Sequence, residues 1–434
     1  MNARNLNTQD LRQKYLRNYK RYSFVALTIV IALLPFIFVP AFSESIYFRA
    51  YHFYKFIFLF PATMCISFIY FIGRFLEGNF KLSSITKIEY SLCIMLVWLM
   101  LSTILSPYTH MALFGTLFRH QGFATIILYF LLFYIGFKTC NKEYVEKYIK
   151  VILIVSIPLS IYGILQYFNI EIFPTDYYRL ARNSARSTFG NRNFTGSYAS
   201  LMLGFATIQY LRTKKNIDLG ISSILFTLLI ATQTRGAWLG SAFAFIITAI
   251  LFRGFFKKNL KQVLIVAIIF LTIFGFFNLN ARTNMRLRSF QDEVKKITAT
   301  DTSQIKSLGS GRGLIYIETV KILPRFIIIG SGPDTFSKSF NQDAWQKYYD
   351  KRVVNDAHNE YLHMWVTKGL PFLLAYMVLL FLILTSHYRN RKKSINILLF
   401  CGTLAYISQA TFNITIIGVA PIFWATLGMN DWEV

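Results

Sequence analysis

Apolar runs long enough to cross a bilayer follow one another along this chain with little between them, which limits the fold to a bundle of membrane-spanning helices. A span takes about 20 apolar residues, because backbone groups inside hydrocarbon must find their partners within the helix itself. Qualifying runs begin near Ser23, Phe53, Glu89, Gln121, Tyr148, Phe194, Asp218, Gly236, Gln262, Tyr361, Ile395 and Ile414, twelve in all. The last is marginal, since Pro421 sits inside it, and only Thr232 to Trp238 separates the seventh from the eighth, which predicts a tight hairpin. A hydrophobic share of 54% and a mean hydropathy of +0.43 also lie outside the soluble globular range. The expected fold is an all-α membrane protein of about 12 transmembrane helices, one integral domain over residues 1–434 without an internal repeat.

The first run begins about 22 residues in and lacks a small-residue cleavage site, so it reads as a retained helix rather than a removed signal peptide. Cys65, Cys93, Cys140 and Cys401 form no CxxC pair and read as filler rather than as a disulfide framework. Lysine and arginine set the orientation, because short cytoplasmic loops carry their excess. Arg12, Lys14, Arg17, Lys20 and Arg21 precede the first span; Arg212, Lys214 and Lys215, then Arg253, Lys257, Lys258 and Lys261, then Arg389, Arg391, Lys392 and Lys393 fill later short loops. All fall on one side if the spans alternate. Both termini are then expected in the cytoplasm, in a multi-pass protein of the plasma (inner) membrane.

One polar stretch breaks the pattern. Residues 280–360, between the ninth and tenth runs, form a loop expected on the extracytoplasmic side. Within it, Asn284 to Ile297 carries an apolar stripe at helical spacing and is expected to lie along the membrane surface. Thr298 to Gly311 reads as a mobile linker, and Leu314 to Leu323 as an amphipathic helix opened by Arg312 and ended near Pro324. The loop closes on Asp356-Ala357-His358-Asn359-Glu360. It is the natural place for aqueous chemistry in so apolar a chain.

The net charge of +26 holds more cations than the positive-inside rule explains. Arg119, Arg179, Arg182, Arg186, Arg192 and Arg235 fall on the outer side, as do Arg282, Arg286, Arg288, Lys295, Lys296, Arg312, Lys321 and Arg325 of the long loop. Adhesion to anionic membrane lipids is the bland account. The sharper one is an anionic substrate, because guanidinium groups grip phosphate oxygens through paired donors. Gly309-Ser310-Gly311-Arg312-Gly313 lacks the ending of a Walker loop. No Asp-x-Asp or HExxH offers metal ligands, so neither a metal nor a cofactor is expected, and nothing points to nucleic acid. The spans are almost free of the intramembrane carboxylates that proton-coupled transporters use, which weakens a secondary-transporter reading. An activated, anionic substrate at the outer membrane face remains, and a polyprenyl-diphosphate-linked sugar fits. Its departure needs cations against the developing charge and a base for the incoming hydroxyl.

Several segments resemble the O-antigen ligase and polymerase family of polytopic glycosyltransferases. Ser187-Thr188-Phe189-Gly190-Asn191-Arg192-Asn193-Phe194 is similar to its Gly-Asn-Pro-Asn stretch, with Arg192 in place of the proline. Thr234-Arg235-Gly236 resembles its Ser/Thr-Arg-Gly turn, Ser310-Gly311-Arg312 its loop Gly-Arg, and Gly330-Ser331-Gly332-Pro333 its Gly-x-Gly turn. His358-Asn359-Glu360-Tyr361-Leu362 resembles its His-Asn motif, and Phe118-Arg119-His120-Gln121-Gly122 its Arg-x-x-Gly. The resemblance covers Arg119 to about Gly369, and its specificity lies in the shared order of the motifs.

The resemblance implies that His358 is the general base and that Arg235 and Arg312 bind the donor diphosphate. Physical argument supports part of this. A charge in the hairpin, as at Arg235, is costly near hydrocarbon unless paired or functional, the alternative being a side chain that snorkels to headgroups. Arg312 at a helix start adds to that terminus's pull on an anion. Asp356 or Asn359 could orient the His358 ring, although a lone loop histidine is more often simply solvated. Arg119, Arg186 and Arg192 are further candidates for the diphosphate or the glycan path. Tyr177, Tyr178, Trp345, Tyr348 and Tyr349 could stack on sugars but are better explained as interface anchors.

The function expected is metal-independent, inverting transfer of a glycan from an undecaprenyl-type diphosphate to an acceptor hydroxyl on a glycan, lipid or protein. A polysaccharide polymerase of O-antigen or teichuronic type, or a protein O-oligosaccharyltransferase, would use the same motifs.

Overall fold

The computed structural model describes residues 3–39, 44–78, 85–173, 183–279, 302–349 and 353–430. Eighteen α-helices and no strand occur among the described residues, numbered α1 to α18 below. The all-helical expectation is met. Among the described residues, seven helices are long and apolar enough to cross a membrane: Asp10–Phe36, Tyr51–Glu77, Lys87–Ile104, Lys142–Tyr167, Leu260–Asn278, Leu370–Arg389 and Ser394–Phe412. Three more apolar helices, Phe123–Thr139, Asn216–Ala231 and Arg235–Leu251, are shorter.

The first half runs α1 (Ala3–Leu33), α2 (Glu44–Glu77), α3 (Lys87–Ile104), α4 (Thr109–Phe114), α5 (Phe123–Thr139) and α6 (Lys142–Tyr167). Then come α7 (Arg192–Thr213), α8 (Asn216–Ala231), α9 (Arg235–Leu251), α10 (Arg253–Lys258) and α11 (Leu260–Asn278). Local chemistry sets several starts. Thr86 and Glu89 exchange side-chain and backbone bonds in a capping box on α3, and Asn141 and Asn191 cap α6 and α7 with their side chains.

Five of the twelve expected runs are not full-length spans among the described residues: three form the shorter apolar helices, and two depart further. The run near Phe194 becomes α7, which carries Thr195, Ser197, Ser200, Thr207 and Gln209 and is buried along almost its whole length. It packs between α8, α9 and the later helix Ser394–Gln409, so protein rather than lipid accepts its polar face. The run near Ile414 yields only Ala420–Gly428, with Pro421 in its first turn, where a missing N–H costs nothing. At about 1.5 Å per residue this helix is too short to span. The hairpin between α8 and α9 is as tight as its spacing predicts, with only Thr232, Gln233 and Thr234 between the helices.

Of the long loop, the surface helix expected over Asn284 to Ile297 and the cations Arg282, Arg286, Arg288, Lys295 and Lys296 lie outside the described residues. So do Arg179, Arg182, Tyr177 and Tyr178. What is described runs α12 (Thr302–Ile322), α13 (Phe336–Ser339), α14 (Gln342–Gln346) and α15 (Glu360–Lys368). After these come α16 (Leu370–Arg389), α17 (Ser394–Gln409) and α18 (Ala420–Gly428). Arg312 therefore does not open its helix: α12 begins at Thr302 and extends through most of the expected linker. Two glycines with left-handed backbone, Gly309 and Gly311, disturb its regularity just before Arg312. At Gly311, φ of +96° and the Trp345 ring 3.0 Å from where a Cβ would stand both exclude a side chain.

The loop has a small core of its own, made by Ile315, Ile322, Leu323, Phe336, Phe340, Val354, Ala357 and Val366. Trp345 and Tyr349 stack with centroids 4.3 Å apart and lie on Gly311, so these aromatics pack against the loop.

Candidate active site

Asp356 organises His358. Its Oδ1 accepts the His358 backbone N–H at 2.9 Å and lies 3.2 Å from the ring Nδ1. The turn holds His358 at φ +48°, a region in which only a few non-glycine residues sit. Burial alone would raise the Asp356 carboxyl, but the positive charge available at His358 and on Arg119 brings it down to about 2. An ionised carboxylate only accepts, so Nδ1 carries the proton and Nε2 is left as the basic nitrogen. Burial lowers the His358 pKa below its ordinary 6.5; Asp356 opposes this, and the charges of Arg312 and Arg119 add to it. The ring is thus neutral near pH 7 and keeps 34% of its side-chain surface exposed.

Asn359 has a different task from the ring-orienting one expected of it. Its side-chain oxygen accepts the N–H groups of Tyr361 and Leu362 and so caps α15.

Arg119 reaches the same turn from the opposite end of the sequence. Its Nη1 donates to the Asn355 carbonyl at 3.2 Å and lies 3.8 Å from Asp356, while its Nε is 3.5 Å from Asp334. Asp334 also accepts the Thr116 backbone N–H at 2.6 Å and the Thr116 hydroxyl at 2.9 Å, closing the loop that presents Arg119. The Gly-Ser-Gly-Pro turn delivers this carboxylate. Ser331 and Gly332 donate backbone N–H groups to the Val366 and Thr367 carbonyls, and Ser106 donates to the Ser331 carbonyl. Gly332 has φ +114°, and a Cβ there would stand 2.5 Å from the Ser106 hydroxyl. Only glycine fits.

A cavity of about 300 Å³ joins three of the sequence motifs. Arg119, Thr116 and Phe118 line one wall, Asn355 and Asp356 another, and Gly190, Asn191 and Phe194 a third. Arg192 starts α7 beside this wall, and its carbonyl accepts the Thr234 hydroxyl. That contact brings in the hairpin: Arg235, half-buried, opens α9, and a Cβ on the neighbouring Gly236 would meet the Phe412 side chain at 2.4 Å. Next to Phe412, the Thr411 carbonyl accepts the Tyr316 hydroxyl, which also contacts the His358 carbonyl at 3.1 Å. Tyr316 lies one helical turn beyond half-buried Arg312. Of the residues expected at the site, Arg119 and Asp356 line the cavity; His358 adjoins it through Asp356, Arg312 is close enough to act on the His358 charge, and the Arg235 hairpin joins its wall through Thr234.

Arg186 stands apart. Its guanidinium pairs with Glu171 at 3.1 Å, both side chains are buried, and the Tyr162 hydroxyl and the Gln166 amide bond the same carboxylate. Arg186 does not line the cavity.

Residues 220–377 match the family model described as O-antigen ligase. This stretch is an O-antigen ligase family domain. No curated protein matches the chain. The O-antigen ligase domain takes in Arg235, Arg312, Asp334, Asp356 and His358, while Arg119 and the Gly190 to Phe194 wall come from outside it.

Sequence reasoning missed Asp334, although it directly follows the Gly-x-Gly turn that was singled out. It also missed a buried polar group behind Arg119, where a small cavity is lined by Arg119, Gln121, Tyr129, Glu360, His363 and Lys368. Burial pushes Glu360 up to about 7 and Lys368 down to about 8, and Thr415 donates its hydroxyl to Glu360.

Proposed function

We propose that this membrane protein transfers a glycan from a polyprenyl diphosphate to an acceptor hydroxyl. The observation that carries the reading is the His358 ring with its Nδ1 3.2 Å from Asp356, a carboxylate that lines the same cavity as Arg119. The O-antigen ligase domain supports the reaction class. The acceptor oxygen attacks the anomeric carbon and gives its proton to His358 Nε2 as the bond from that carbon to the diphosphate oxygen breaks. The electron pair leaves with the diphosphate, and Arg312, Arg235 and Arg119 stabilise the charge that gathers there. One displacement inverts the anomeric centre. Asp356 keeps its charge throughout and steadies the imidazolium that forms.

The reaction site belongs on the extracytoplasmic side of the plasma membrane in this reading, supported by the lysine and arginine bias of the short loops. The acceptor is a glycan, lipid or protein hydroxyl.

The test is transfer by purified protein from a polyprenyl-diphosphate glycan to candidate acceptors, with and without EDTA. His358→Ala should lower turnover by about 10²–10⁴-fold, the range for losing a positioned base. Its thermal stability should stay close to that of the parent. Full turnover in His358→Ala, or strict dependence on a divalent ion, would overturn the mechanism.

A further inference from the structure

A second and larger cavity, of about 860 Å³, lies at the opposite end of the bundle from the His358 site. Its lining includes Lys87 at the start of α3, Lys138 and Phe137 at the end of α5, and Phe381 and Arg389 toward the end of α16. The His358 site borders the other ends of α5 and α16. At about 1.5 Å per residue, these helices of 17 and 20 residues are about 25–30 Å long, close to the thickness of a hydrocarbon core, and the second cavity lies against their far halves. The two cavities therefore face opposite membrane surfaces.

The walls combine two kinds of chemistry. Lys138 pairs with Glu89 at 2.7 Å, so its charge is met within the protein. Lys87 and Arg389 are exposed and have no carboxylate partner among the described residues. Asn141 adds a polar group to the lining, and Phe137 and Phe381 an apolar one. Phe381 is 68% exposed and continues the uncovered apolar flank of α16 formed by Leu374, Met377 and Val378. Exposed cations at the end of the bundle meet the exposed Phe381 there, in a volume far larger than a bare phosphate group needs.

We propose that this cavity is a binding site for an anionic phospholipid, its phosphate against Lys87 and Arg389 and its chains along Phe381. Lysine and arginine near an anionic surface contribute about 1 kcal/mol each, so removing both predicts roughly thirtyfold weaker binding.

The experiment titrates phosphatidylglycerol into full-length protein held in a zwitterionic detergent and reads bound lipid by native mass spectrometry. Phosphatidylcholine and sn-glycerol 3-phosphate serve as comparison probes. Lys87→Gln/Arg389→Gln should weaken phosphatidylglycerol binding roughly thirtyfold, whereas Lys392→Gln, an exposed cation off the cavity, should leave it unchanged. Both variants alter exposed side chains, and matching melting temperatures without lipid would show that they fold. Equal retention of phosphatidylcholine, or unchanged binding in the double variant, would overturn the proposal. So would displacement by sn-glycerol 3-phosphate alone, which would make the occupant a soluble phosphoester. None of these readouts depends on glycan transfer.

Discussion

Arg186 and Arg119 are both buried arginines beside carboxylates, yet their surroundings differ in kind. Arg186 has one close partner, Glu171 at 3.1 Å, whose other contacts come from Tyr162 and Gln166, and it does not line the cavity. Arg119 is spread over looser contacts, 3.5 Å to Asp334 and 3.8 Å to Asp356, and stands on the cavity wall. A carboxylate at close range neutralises a guanidinium and fixes a loop. Two at longer range hold one in place while leaving its charge available to a phosphate. The two residues are indistinguishable as loop arginines in the sequence, and the distance to the nearest acid predicts a structural role for Arg186 and a binding one for Arg119.

The largest effect expected from this contrast is on stability. Arg186→Ala leaves Glu171 buried without its cation and should cost about 3–5 kcal/mol in a chemical-denaturation experiment. Transfer per folded molecule should be nearly unchanged. Arg186→Gln combined with Glu171→Gln removes both charges, keeps hydrogen-bonding groups in place and should recover most of that stability. A stable double variant without transfer would place Arg186 in the reaction and break the comparison.

Arg119→Lys should do the reverse. It keeps a cation against Asp334 and Asp356 but loses the planar fork, so melting should change little. Hydrogen bonds to charged groups are worth about 1.5–3 kcal/mol, so kcat/KM should fall roughly ten- to a hundredfold. If Arg119→Lys instead lost stability and kept its rate, Arg119 would be a structural pair like Arg186.

How much of this was readable in advance differs from element to element. The hairpin at Thr232 to Thr234 followed from spacing alone, because two apolar runs left no room for anything longer. His358 was visible as a titratable group at the mouth of an apolar run. Asp334 was not, since its bonds to Thr116 join residues 218 positions apart and no local pattern announces such a pairing. The earlier start of α12 was hidden for a related reason. Ser and Gly over 302–311 favour a linker by propensity, but the helix runs through to Gly311, where an aromatic stack from Trp345 and Tyr349 lies on it. Asn359 shows the same limit within a motif: the residue was singled out, but its job as a helix cap depends on which N–H groups lie within reach.

A smaller effect separates orientation from charge at Asp356. In Asp356→Asn the carboxylate that raises the His358 pKa is gone, while burial, Arg312 and Arg119 still lower it. His358 then stays basic to lower pH than in the parent. The acid limb of the pH–rate profile, already expected below pH 6.5, should move further down even as the rate falls through loss of the fixed tautomer. An acid limb that moved upward would show that Asp356 does not act on His358.

The smallest and most discriminating effect belongs to Arg312. Its charge lowers the His358 pKa, so Arg312→Gln should raise it and shift the acid limb toward higher pH. Arg312→Lys keeps the charge and should leave the limb where it is, while weakening the grip on diphosphate because a lysine has no planar fork. A shift in the limb therefore reports charge reaching the imidazole, and a rise in KM without a shift reports contact with donor. If Arg312→Lys moved the limb as far as Arg312→Gln, the coupling would come from a rearranged α12 instead. Arg312 would then stabilise the loop that carries His358, and the diphosphate would depend on Arg119 and Arg235.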